Sequence, residues 1–421
     1  MSENKQTRRK YIATTATIAG AGLAGCTGGT SSGSANEDDP IKIGVLEDQS
    51  GRFATIGKPK WQASKLAIDE INSNGGINGR QIELFDPDPQ SDANRYQQLT
   101  ERLITQENVD ALIATYASPH REAIRPIVDR NEQLYFYTTQ YEGGVCDSYT
   151  FCTGATARQQ IEHVVTHLLN KYDAETIYTV APDYNFGQIS ADWVEIIAQE
   201  NDAEVIDEEF IPSSNSQFGS TISNISEADP DIIMSFLTGQ FQTSFFSQRA
   251  SAGLSIPIGT SITMAQAYEH TRFDPPALED VHVATNYMQE MEGESAVDYR
   301  DAFQSKFPDA PYVNQESQNN YFTLYLYKKA VEEAGTTDQQ EVISTLEEGM
   351  SISAPEGELT LDGETHHMSH NMNIARADEN HNISFSNEEM IQEQFLSQTV
   401  GCDLTSTEET EFYTPSEFFD L

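Results

Sequence analysis

Short apolar runs alternate with amphipathic stretches along most of this chain. Ile41-Lys42-Ile43-Gly44-Val45-Leu46 reads as a strand. Residues 59–74 then place Trp61, Ala63, Leu66, Ala67, Ile68 and Ile71 at helical spacing, with Pro59 in the first turn and Gly75-Gly76 as the stop. The same beat predicts strands at 81–85, 111–115 and 134–137 and helices at 95–106 and 121–131. After a loop over 138–156, a second series predicts helices at 158–171, 188–200, 218–228 and 241–252 and strands at 176–180, 203–210, 231–236, 256–259 and 281–286. Strict alternation implies a parallel sheet with helices on both faces. Amphipathic helices near 295–307, 315–334 and 337–349 follow, then hairpin-like segments around 358–361, 372–377 and 383–385. The expected fold is α/β, with two Rossmann-like lobes, a cleft between them and a chain that crosses between the lobes more than once.

The N-terminus breaks this pattern. Arg8-Arg9 precedes an Ala/Gly/Ile-rich stretch that ends in Leu23-Ala24-Gly25-Cys26, and a polar run to Pro40 follows. The apolar part is too short and too glycine-rich for a spanning helix, which needs about 20 apolar residues. The order fits a twin-arginine export signal over 1–25, a lipid-attachment cysteine at Cys26 and a flexible tether over 26–40. A soluble body held on the outer face of the cell membrane is the expectation.

Charge narrows the partners. The formal net charge is −43, and the residues before Cys26 carry three net positive charges, so the body carries −46. Nucleic-acid binding needs a basic footprint and is excluded as an expectation. Low aromatic content would point to disorder, but aromatics make up 10% and apolar runs recur throughout. The reading is a folded protein with a carboxylate-coated surface, of halophilic character, whose self-repulsion molar salt screens to a Debye length of roughly 3 Å.

Cys146 and Cys152 are spaced to close a short disulfide loop in an oxidising compartment, leaving Cys402 as an odd thiol; three unpaired thiols are the alternative. No C-x-x-C spacing supports a metal site. His366, His367, His370 and His381 lack the H-E-x-x-H arrangement and read as a surface loop or an interlobe crossover. Gly20 to Gly25 matches G-x-G-x-x-G and Gly29 to Gly33 matches G-x-S-x-G, but the first falls in the signal and the second in the tether, without the strand-turn-helix setting either chemistry requires. No catalytic apparatus, cofactor or metal site is expected.

The segment Trp61-x5-Ala67-Ile68-Asp69-Glu70-Ile71-Asn72-Ser73-Asn74-Gly75-Gly76-Ile77-Asn78-Gly79-Arg80 resembles the signature of type I periplasmic binding proteins, the receptors of branched-chain amino acid transporters. Tyr141-Glu142-Gly143-Gly144-x-Cys146, Phe151-Cys152-Thr153-Gly154-Ala155-x3-Gln159-Gln160, and Ser353-Ala354-Pro355-Glu356-Gly357 with Thr365-His366-His367 resemble its urea and short-chain amide branch. Gly144 and Met264-Ala265-Gln266 depart from that branch, which carries a bulkier residue and acidic residues there.

The resemblance implies a first lobe from 41–157 and 288–365, a second from 158–287 and 366–400, and an acidic tail over 401–421. It implies ligand contacts from Tyr116, Ser118, Tyr137, Thr139, Tyr141 and Glu142 on the first lobe, from Asp183, Tyr184, Thr238 and Gly239 on the second, and from Ser50 at the rim. These positions follow strand ends, where open α/β sheets bind ligands. A small neutral or zwitterionic ligand, ABC permease subunits and a monomeric state complete the expectation. A branched-chain or other amino acid receptor is the alternative, with Glu142 or Asp183 as the ammonium partner; an amide-sensing regulator on the same fold is another. From charge alone, the thermal midpoint is expected to rise with KCl concentration into the molar range, and a midpoint that falls or stays level would contradict the halophilic reading.

Overall fold

Ile41, Ile43 and Val45 are fully buried because β1 (Ile41–Leu46) runs between two other strands of a sheet covered on both faces. The computed structural model describes residues 39–421, apart from 213 and 214. The signal expected over 1–25 and the lipid attachment expected at Cys26 therefore lie outside the described residues. Among the described residues no helix is long and apolar enough to cross a membrane.

The first series follows as α1 (Ala54–Ser73), β2 (Ile82–Phe85), α2 (Ala93–Arg102), β3 (Ala111–Ala114), α3 (Ser118–Arg130) and β4 (Tyr135–Tyr137). Helix α1 starts upstream of the expected Pro59, which lies inside it, and its N-cap residue Phe53 offers no side-chain cap that would mark the start. Its stop matches the expectation. Gly75 and Gly76 take φ of +104° and +78°, the Gly76 amide donates to the Ile71 carbonyl at 2.9 Å, and a Cβ on Gly76 would sit 1.9 Å from the Arg80 carbonyl oxygen.

The expected loop over 138–156 holds two three-residue strands, β5 (Val145–Asp147) and β6 (Thr150–Cys152), too short to leave a periodic signal. The second series is α4 (Ala157–Tyr172), β7 (Thr176–Pro182), α5 (Asn185–Glu200), β8 (Glu204–Ile211), α6 (Gly219–Ala228), β9 (Ile232–Ser235), α7 (Gln240–Ala252), β10 (Ile258–Thr260) and β11 (Val281–Thr285). A capping box between Thr156 and Gln159 starts α4. Helices α8 (Glu294–Lys306), α9 (Gln315–Ala334) and α10 (Gln339–Glu347) come next. The chain closes with strands β12 (Met350–Ala354), β13 (Gly357–Asp362), β14 (His367–Met368), β15 (His370–Ala377), β16 (Ile383–Ile391) and β17 (Thr410–Phe412).

Two sheets result. One has the order β12-β13-β14-β6-β4-β3-β1-β2, the other β16-β15-β11-β10-β9-β7-β8, and the strands of each series pair in parallel. The chain passes from one sheet to the other at 153–156, at 286–293 and at Ser369. The last crossing falls later than the expected boundary after 365, because His367–Met368 add to the first sheet beside Cys152. His366, His367 and His370 flank this crossing and are buried, so no solvated surface loop exists there. No group of side chains that could hold a metal ion occurs among the described residues.

The tail corrects a second expectation. Cys146 bonds to Cys402, 256 residues away, and Cys152, buried, is the free cysteine among the described residues. The expected Cys146–Cys152 pair fails because β6 inserts Cys152 between β4 and β14, while β5 leaves that sheet and pairs antiparallel with β17. Burial pushes the Cys152 thiol up to about 12, which keeps it protonated. Arg125 on α3 donates to the Thr410 and Glu411 carbonyls, and Phe419 packs edge-on against Trp193 of α5, so the tail ties elements of both lobes together. Gly144 is now explained: its φ is +93°, the Tyr413 amide donates to its carbonyl at 2.8 Å, and a Cβ there would strike the Tyr413 carbonyl at 1.9 Å.

The chain from residue 39, unfolded without reductant, should titrate one thiol, and peptide mapping should assign it to Cys152. Cys402→Ser should lower the unfolding free energy by about 2–5 kcal/mol in denaturant titration; an unchanged midpoint would contradict the Cys146–Cys402 bridge.

Candidate functional site

The loops that leave the carboxyl ends of β3, β4, β7, β9 and β10 converge on one cavity. Tyr116, Ala117, Ser118, Tyr137, Thr139 and Gln140 line it from the first lobe, and Tyr184, Phe186, Thr238, Ile262 and Gln266 from the second. Its volume is about 30 Å³, far below the roughly 300–1,000 Å³ of drug-sized ligand pockets.

Among the residues expected to bind ligand, Tyr116, Ser118, Tyr137, Thr139, Tyr184 and Thr238 are brought together here. The other five are elsewhere. Tyr141 is fully buried behind the wall, sharing a hydrogen bond with His367. Glu142 is buried against Arg121 at 2.8 Å and accepts from the Ser118 hydroxyl at 2.6 Å. Asp183 is exposed and accepts from Gln188. Ser50 is exposed and donates to Asp88. Gly239 caps α7 with φ +58°.

Most wall hydroxyls are already committed. Tyr137 donates to the Tyr116 carbonyl at 2.8 Å, and Tyr116 donates across the cleft to Gln266 Oε1 at 2.7 Å. Thr139 donates to the Thr115 carbonyl and accepts from Lys60 Nζ at 2.6 Å. One acceptor stands out: Gln140 Oε1 is buried with no hydrogen-bond partner among the described residues. Burying such a group unpaired costs roughly 1–3 kcal/mol, so an N–H donor that reaches it recovers that cost.

Lys60, Glu316 and Gln266 were not among the expected site residues. Lys60 Nζ lies 3.0 Å from Glu47, both side chains fully buried, and burial pushes the Glu47 carboxyl up to about 7 against the pull of Lys60. Burial likewise raises Glu316, which accepts from Gln266 Nε2 at 2.9 Å and from the Gln140 amide at 3.2 Å. A signal existed for Lys60, a cation at helical spacing between Ile56 and Ala63 on the buried face of α1. None marked Glu316, whose polar run resembles a surface segment.

Lys60 and Glu142 are therefore each neutralised by a partner, whereas Glu316 is held by amide donors alone. Glu142→Gln would leave buried Arg121 with the part-exposed Glu122 as its remaining carboxylate partner and should cost about 1–3 kcal/mol in denaturant titration, whereas the exposed Asp183→Asn should stay within about 0.5 kcal/mol. Equal small effects would show that the Glu142–Arg121 pair is not structural.

Comparison with known proteins agrees with this architecture. Residues 40–382 match the family described as periplasmic binding protein. Leu/Ile/Val-binding protein homolog 7 of Brucella suis biovar 1 is 24% identical over 236 residues, 52% of this chain and 58% of that protein. The chain thus spans a little over half the length of the curated relatives it matches. Among solved structures, a solute-binding protein of an ABC transporter from Rhodopseudomonas palustris BisB5, in complex with 3,4-dihydroxybenzoic acid, superposes with TM-score 0.73 at 19% identity, covering 84% of this chain and 97% of that one. The branched-chain amino acid transporter substrate-binding protein LivJ of Streptococcus pneumoniae, with isoleucine, gives TM-score 0.71 at 18% identity, covering 84% and 100%. With two sheet-containing lobes, a cavity at the strand ends between them and a family match over most of its length, the chain belongs to the periplasmic binding protein family, with the type I fold.

Proposed function

We propose that this protein is the exported solute-binding component of an ABC importer, anchored to the outer membrane face through Cys26, and that it captures urea or a short-chain amide between its lobes. It acts as a monomer that binds without turnover and delivers its ligand to the permease subunits. Family membership supports the transport role. The observation that carries the ligand class is the unpartnered, buried Gln140 Oε1 in the wall of a small cavity lined by no charged side chain. A neutral solute with N–H donors and a carbonyl acceptor satisfies such a wall without introducing a charge. Ligand bridging the lobes favours the closed arrangement by its differential affinity for it.

The relatives' names favour a second reading, a branched-chain amino acid receptor. An amino acid brings an ammonium and a carboxylate, each of which needs a buried counter-charge. Glu142 is held by Arg121, Lys60 by Glu47, and Asp183 is exposed. Glu316 is held by amide donors and not by a cation, but the cavity lining brings no cation for a carboxylate, which supports the neutral ligand. The amide-sensing regulator, the third reading, would act on an intracellular target and has no use for an export signal.

A thermal-shift series in molar KCl should show a raised midpoint with urea, formamide or acetamide, since a ligand at 100 times its Kd adds about 2.7 kcal/mol. A shift with leucine or 4-hydroxybenzoate alone would move the protein to one of the other solute classes.

A further inference from the structure

Gln266 is 1% exposed and belongs to the segment that follows β10 in the second lobe. Its main chain is fixed without help from its side chain: the amide donates to the Ile262 carbonyl, the carbonyl accepts from Asn314 Nδ2 at 2.6 Å, and the neighbouring Ala265 carbonyl accepts from the Gln315 amide. The side chain makes separate bonds to the first lobe. Its carbonyl oxygen accepts from the Tyr116 hydroxyl and its amino group donates a hydrogen bond to Glu316. The first lobe therefore already holds a primary carboxamide, bound by both its carbonyl and its amino group, in the wall of the ligand cavity.

We propose that Gln266 is a specificity-determining residue that acts as a built-in competitor, its carboxamide filling the subsite that a ligand's own carbonyl-amino edge takes when it displaces Gln266. The inference rests on the proposed function and deepens it. With Gln266 in place about 30 Å³ is open, and swinging the side chain out frees the volume of its own carboxamide. An incoming solute must restore both bonds, because a buried phenol or carboxylate left unpaired costs far more than a bond exchanged for an equal one. Urea and primary amides restore both. A carboxylate repels Glu316, and an apolar solute leaves both groups bare. The competitor also lowers apparent affinity in proportion to the fraction of receptors whose subsite is free.

Gln266→Ala tests this directly. Propionamide and acetamide, which correspond to the excised side chain, should bind the variant at least about tenfold more tightly than the unaltered protein in calorimetric titration, while propionate gains nothing. Gln266→Met, which keeps the length without the two bonds, should move in the same direction and serves if alanine unsettles the segment. Equal or weaker amide binding in both variants overturns the inference, since a residue that contacts the ligand directly would lose affinity when removed. An unaltered protein that binds no amide, beside a Gln266→Ala variant that binds propionamide, upholds the subsite and overturns the proposed ligand. Amide binding by the unaltered protein with no gain in either variant does the reverse.

Discussion

Seven consecutive polar residues, Asn314 to Asn320, are fully buried where the crossings between the lobes meet. Such a run is costly unless each group is bonded, and its partners come from every part of the interlobe region. Asn320 donates to Glu47 and Ser64 and accepts from Thr138. Asn319 donates to the Thr138 carbonyl and accepts from Asn286. Gln318 reaches Glu356, which also holds Asn286 and Asn371. Gln315 accepts from Thr285, and Asn314 caps α9 at the Ser317 amide. Gln318 Oε1 and Asn286 Oδ1 remain without partners among the described residues. An apolar replacement would pack here, but it would not specify one arrangement of several chain segments as directed bonds do.

The cleft inherits its geometry from this network. Glu316 lies inside the run and holds both the Gln140 backbone and the Gln266 side chain, while Glu47 joins Asn320 to Lys60, and Lys60 to Thr139. A change in lobe angle must therefore rearrange the same bonds that shape the wall. This shared set of residues is a physical route by which a solute of a few atoms biases a hinge: it need only offer bonds that one arrangement completes and another leaves open.

Much of this was legible in the residues. Period-2 and period-3.6 stretches marked nearly every long element, and the family resemblance, supported by the rule that ligands gather at the carboxyl ends of parallel strands, pointed to Tyr116, Ser118 and Thr139. Glu142 looked available for a ligand because its counter-ion, Arg121, lies 21 positions away on α3 and meets it only in the fold. The partner of Cys146 carried no local signal, since pairing across 256 residues depends on where the tail docks. The run from Asn314 had the composition of a solvated helix start, and only the convergence of several segments, which no window of sequence contains, buries it.

The most direct test is a crystal structure of the chain from residue 39 grown in molar salt with acetamide. The account predicts the amide between Tyr116, Gln140 and Glu316, its carbonyl on the Tyr116 hydroxyl, its amino group on Glu316 and Gln140 Oε1, and the Gln266 side chain moved out of the subsite. An unliganded cleft with Gln266 still bonded to Tyr116 and Glu316, or acetamide found only outside the cleft, would contradict it.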